Sequence, residues 1–105
     1  IVLAHQPFTI PPHLTANIER MSGEPGEILD ALEKQGVRHV YVDGGLTIQA
    51  FLACGLIQEM TLTHIPVILG GGVPLFGVTS QPIHARHVET ETFQNGYVQT
   101  KYRLD

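Results

Sequence analysis

Tyr41-Val-Asp-Gly-Gly-Leu-Thr-Ile-Gln-Ala-Phe51 (YVDGGLTIQAF) opens like a β-strand, breaks at two adjacent glycines and resumes with helical spacing. A strand-to-helix turn can be made with one glycine or none, because Asp or Asn often serves. The second glycine therefore has two readings. Either it completes a tight turn that needs a positive φ, or it keeps a Cβ away from a ligand lying close to the backbone. The ligand class favoured at the start of a helix is an anion, with Thr47 and Gln49 as supplementary donors. The longer G-x-G-x-x-G phosphate fingerprint is absent, and no Gly-Lys-Ser/Thr follows "LGGGVPLFG" at 69–77.

Upstream of this stretch, Ser22–Gly26 carries helix-start signals: Pro25 suits a first-turn position, and Glu24 and Glu27 favour a helix N-terminus. Ile28, Leu29 and Leu32 then form an apolar stripe that Gly36 ends. "HVYVDGG" (39–45) predicts a strand, and the helix after it buries Ile48, Phe51 and Leu52 and stops at Gly55. The N-terminal run "IVLA" (1–4) reads as a buried strand closed by His5, Gln6 and Pro7. Three prolines, Pro7, Pro11 and Pro12, make the connection after it irregular, and a short strand is expected within Asn17–Met21.

Downstream, "EMTLTHIPVIL" (59–69) is a long β-type stretch with a bend or edge position at Pro66. A glycine loop, Gly70 to Gly72 with Pro74, follows. Asn95-Gly96 is a hairpin signal between extended segments Ile83–Phe93 and Tyr97–Leu104. Val98, Thr100 and Tyr102 alternate with Gln99, Lys101 and Arg103, which predicts a last strand buried on one face. The order of elements argues an α/β layer structure with a mixed sheet, parallel in the middle and antiparallel at its C-terminal edge.

With 105 residues and 43% apolar content, the chain has material for one small core. Its net charge of −4, and six Lys and Arg without a cluster, lack the footprint of a nucleic-acid or acidic-membrane binder. No apolar run reaches membrane-spanning length. The expected partner is a small molecule or another protein, and the expected location is cytoplasmic. The lone Cys54 excludes an internal disulfide and reads as a small buried hydrophobe. The six histidines show no i, i+4 pair, and His84 and His87 would face opposite ways on a strand, so no metal site is expected. His5 and His64 stand apart, each at or near the C-terminal end of a strand where ligands collect in α/β sheets.

Several stretches taken together, "IVLAHQP", "VYVDGGLTIQAFL", "GLIQEMTLTHIPVILGGGVPLF" and "NGYVQTKY", resemble in order and spacing the dihydrofolate reductase-like superfamily. The branch is similar to bacterial proteins related to the reductase half of the riboflavin-biosynthesis deaminase/reductase. The resemblance implies a doubly wound mixed sheet with an antiparallel C-terminal hairpin, and NADPH as cofactor. It implies that Gly44, Gly45, Leu46, Thr47 and Ile48, with Gln49 beside them, line the pyrophosphate and nicotinamide side. It also places Leu3, Ala4, His5 and Gln6 at the adenosine ribose and its 2′-phosphate, and Thr63 facing the substrate. His5 departs from the Ser or Arg commoner there. The family's first strand, first helix and nicotinamide loop would precede Ile1, so residues 1–105 are expected to be the C-terminal portion of one reductase domain, poor in cofactor binding by itself.

Two functions follow as expectations. One is an NADPH-dependent reductase of a small pterin- or pyrimidine-like heterocycle. The other is a non-catalytic nucleotide-binding or dimerisation module on the same scaffold. In either, the hairpin's bare edge is expected at a homodimer surface.

Overall fold

A computed structural model describes residues 1–104. Strand β1 (Val2–Leu3) pairs in parallel with β2 (Arg20–Met21), the register setting Val2 against Arg20 and Leu3 against Met21. A single 3-10 turn, Pro12–Leu14, lies in the proline-rich connection. Helices α1 (Pro25–Lys34) and α2 (Gly45–Ala53) follow, then β3 (Glu59–His64), β4 (Arg86–Thr92) and β5 (Val98–Arg103). The last three form an antiparallel sheet in the order β3-β5-β4.

Helix α1 starts where its capping residues put it. The Glu27 carboxylate reaches back and accepts from the Glu24 backbone N–H at 3.3 Å, and Pro25 occupies the first turn. Gly36 adopts φ +87° beyond the last turn. Replacing Glu27 with Ala should cost about 0.5–1 kcal/mol, because an N-terminal donor loses its partner. Urea unfolding measures it, and an unchanged midpoint would contradict the cap.

Beside Pro25 at the start of α1, the buried apolar residues of the described chain are Ile28 and Leu32 of α1 and Phe51 and Leu52 of α2. Both helices therefore give one stripe to the core, as their periodicity requires. In the sheet, Met60 and Leu62 lie opposite Tyr102 and Thr100, and Thr100 is buried. Glu59, Thr61 and Thr63 lie opposite Arg103, Lys101 and Gln99. The Glu59 carboxylate bridges Arg103 at 3.0 Å and Lys101 at 3.7 Å. The alternation along β5 is thus realised with one polar face. The hairpin closes at Asn95-Gly96: Gly96 has φ +89°, and the Asn95 side chain accepts from the Tyr97 N–H at 3.1 Å. A bulge at Val88 interrupts the β4–β5 register.

Four expectations are corrected. The segment His39–Val42 forms no ladder among the described residues, and Tyr41 is 90% exposed. A strand exists through its neighbours, and here an open groove of about 1120 Å³ separates residues 37–43 from residues 58–62 on the unpaired edge of β3. The expected single mixed sheet is accordingly two sheets among the described residues, the parallel β1–β2 pair and the antiparallel β3-β5-β4 sheet. Second, the long stretch at 59–69 is a strand only to His64. Past Pro66 the chain turns tightly, Val67 N–H donating to Ile65 O, and Val67, Ile68 and Leu69 are exposed. Third, Ile1 and Val2 are exposed, since β1 has β2 on one side and no described layer covers them. Fourth, Cys54 is exposed. It is the C-cap of α2, one residue past the last helical position, and the chain turns off at Gly55 (φ +68°), so no further turn of helix covers the thiol.

Candidate functional site

The two glycines of the opening stretch have different roles. Gly44 is the N-cap of α2 with φ +91°, a left-handed conformation that an L side chain resists. Gly45 is the first helical residue, has no positive φ, and a Cβ built on it meets nothing within 4 Å. The fold itself does not require glycine at 45.

No side chain caps α2. Its first intrahelical bond runs from Ile48 N–H to Gly44 O, so the amides of Gly45, Leu46 and Thr47 precede the ladder. The Asp43 carboxylate accepts from the Gly44 N–H at 2.8 Å, which leaves the first-turn amides beyond it for another acceptor. Leu46 is 84% exposed, while Thr47, Ile48 and Gln49 are half-buried. Asp43 and Ile48 border the large groove. The Gln49 carboxamide nitrogen donates to Pro74 O at 3.4 Å and to Leu75 O at 3.1 Å. That side chain is engaged with the glycine loop.

The second group of predicted residues lies at the end of β1. Leu3 and Ala4 are half-buried, with Ala4 N–H bonded to Met21 O at 3.1 Å, and His5 and Gln6 are exposed. Arg20 joins them: its Nε donates to Gln6 O at 3.2 Å. No spacing in the sequence pointed to Arg20, because it reaches the β1 terminus through parallel pairing with a strand separated from it by the proline-rich connection. It brings a guanidinium to two residues expected beside a phosphate, with its terminal nitrogens in the fork geometry that suits one. Thr63, on the polar face of β3, accepts a hydrogen bond at Oγ1 from Gln99 Nε2 at 3.1 Å, a bond that does not use its own hydroxyl proton.

A smaller apolar cavity of about 270 Å³ lies between α2 and the 76–79 segment, with Leu52, Met60, Phe76 and Ile83 among its walls. Among the described residues no three His, Cys, Asp or Glu side chains converge to hold a metal ion. No described helix is long and apolar enough to cross a membrane.

These features can be set beside known proteins. Residues 10–99 match the family model of the RibD C-terminal domain. An uncharacterized Bacillus subtilis (strain 168) protein, YyaP, is 38% identical over 77 residues, which is 72% of this chain and 41% of YyaP. The crystal structure of a Shewanella sp. PV-4 protein named for riboflavin biosynthesis superposes with a TM-score of 0.92 at 33% identity, over 98% of this chain and 58% of its own. A Corynebacterium diphtheriae protein described as pyrimidine reductase-like shares the fold, with a TM-score of 0.71 at 22% identity over 88% of this chain and 41% of its own. The chain thus spans between two-fifths and three-fifths of the length of these relatives. The family model covers most of the chain and the Shewanella structure shares its fold, and the chain belongs to the RibD C-terminal domain family.

Proposed function

We propose that this chain forms part of a reductase that binds NADPH and delivers its hydride to a C=N or C=O carbon of a small heterocycle. The observation that carries the reading is the vacant space at Gly45 beside uncapped first-turn amides of α2. Backbone that close to a helix N-terminus suits a diphosphate, by hydrogen bonding and by the helix dipole. When bound, the nicotinamide supplies the hydride, and the protein supplies position and electrostatics.

The chain's own residues divide that work. Gly45, Leu46 and Thr47 offer amides to the diphosphate, and Leu46 and Ile48 offer apolar surface next to the groove. His5, Gln6 and Arg20 form the polar end of β1 for a 2′-phosphate. Thr63 stands on β3 with a hydroxyl to give to a substrate acceptor. A homodimer through the hairpin edge belongs to the same proposal.

Titrating the full chain with NADPH while following nicotinamide fluorescence tests the reading; absence of saturable binding would end it. A second expectation separates the two halves of the site. Substituting His5, Gln6 and Arg20 together by Ala should weaken NADPH about tenfold or more, the loss of one or two charge-assisted hydrogen bonds. NADH, which lacks the 2′-phosphate, should bind nearly as before. Equal losses for both cofactors would remove these residues from the phosphate.

A further inference from the structure

Gln49 lies on the second turn of α2, and its side chain reaches across to a loop 25 and 26 residues further along the chain. Its Nε2 donates to main-chain carbonyls there, those of Leu75 at 3.1 Å and Pro74 at 3.4 Å. Its Oε1 lies against Gly77, where a Cβ would come within 2.6 Å of it. Gly77 has no positive φ. A side chain at 77 would thus have to displace the Gln49 carboxamide from its place, a constraint of space and not of backbone conformation.

Most of the apolar side chains in and beside the loop face outward. Val73 within it and Ile68, Leu69 and Val78 beside it are each at least 81% exposed, so its apolar contacts rest on Leu75 and Phe76. The Thr79 hydroxyl bonds locally, to Gln81 O. Among the described residues, Gln49 thus supplies two hydrogen bonds between the glycine loop and the helix.

We infer that Gln49 and Gly77 form a clasp that holds the Gly70–Gly77 loop beside the first turns of α2, making Gln49 a positioning residue for the cofactor site and not a cofactor ligand. This rests on the NADPH reading above. The loop that Gln49 anchors carries Leu75 and Phe76, which border the same groove as Ile48. Releasing the loop would loosen one wall of the groove without touching the amides of Gly45 to Thr47.

The test is a double-mutant cycle on the full chain: Gln49→Ala, Gly77→Ala and the pair. Amide exchange across residues 70–77, without cofactor, reads the clasp itself. NADPH titration reads its consequence, and urea unfolding checks that each variant is folded. Gln49→Ala should speed exchange in the loop by about tenfold and weaken NADPH several-fold, since a modest free-energy change controls both. Gly77→Ala should do the same while Gln49 is present. In the Gln49→Ala background it should add nothing, because the atom it collides with is gone.

Exchange unchanged in Gln49→Ala, or additive effects in the pair, would overturn the clasp. Faster exchange with undiminished NADPH affinity would overturn the positioning role. Should the wild type bind no NADPH, the positioning role falls with the reading it rests on, while the exchange measurements still decide whether the clasp exists. If Gln49→Ala fails to fold, Gln49→Leu keeps the helix and the apolar stem and removes the same donors.

Discussion

Gly45→Val should weaken NADPH binding by about 100-fold while changing folding stability by less than about 1 kcal/mol. Position 45 has open space around its would-be Cβ and an ordinary φ, so the fold accepts a larger residue there. Valine forms helix better than glycine does, and this offsets any small loss. A diphosphate lying on the amides of the first turn would meet the added methyl groups and be pushed off by an ångström or more. A 100-fold loss is about 2.7 kcal/mol, the worth of one or two hydrogen bonds to a charged group. Gly44→Val is the contrasting case. There φ is +91°, and the side chain would cost about 1–2 kcal/mol in stability from backbone strain alone. Fluorescence titration paired with urea unfolding separates the two. A folded Gly45→Val protein of wild-type affinity would end the diphosphate assignment.

Phe51→Ala should have the largest effect on folding, about 3–5 kcal/mol, out of a total stability on the order of 5–15 kcal/mol. Phe51 is 3% exposed and belongs to the small set of buried apolar residues shared by the two helices. The neighbouring Leu46→Ala, at 84% exposed, should fall within about 0.5 kcal/mol of the wild type. Urea unfolding of both variants makes the comparison. A loss below about 1 kcal/mol at Phe51 would mean that α2 is held by something other than its apolar face.

The features legible in the sequence were those decided within a few residues. Glu24, Pro25 and Glu27 announce α1, Gly36 and Gly55 mark where the two helices stop, and Asn95-Gly96 sets the hairpin. Each acts through a cap or a turn whose chemistry is local. What failed depended on distant neighbours. His39–Val42 has strand composition, but no described neighbour pairs with it. Cys54 keeps helical spacing from Phe51, yet the helix ends one residue before it.

The site divides the same way. Gly44 and Gly45 were visible as a pair, but which of them the backbone itself demands required the φ angles. Gln49 looked like a ligand because it follows the glycines, whereas its donors are turned to Pro74 and Leu75. Arg20 was invisible, since only the register of β1 on β2 brings it to Gln6.

The groove along the outer edge of β3 bears on how the protein reaches its native state. Whenever nothing fills it, main-chain donors and acceptors stand open on β3, with Val40 and Tyr41 exposed across the gap. Another molecule in the same condition can satisfy them as well as an intramolecular strand can. Correct closure is first order in protein and mispairing is second order. Refolding at low protein concentration should thus raise the yield of folded material, and charged side chains bordering the groove, among them Glu33, Arg38, Asp43 and Glu59, hinder the wrong encounter.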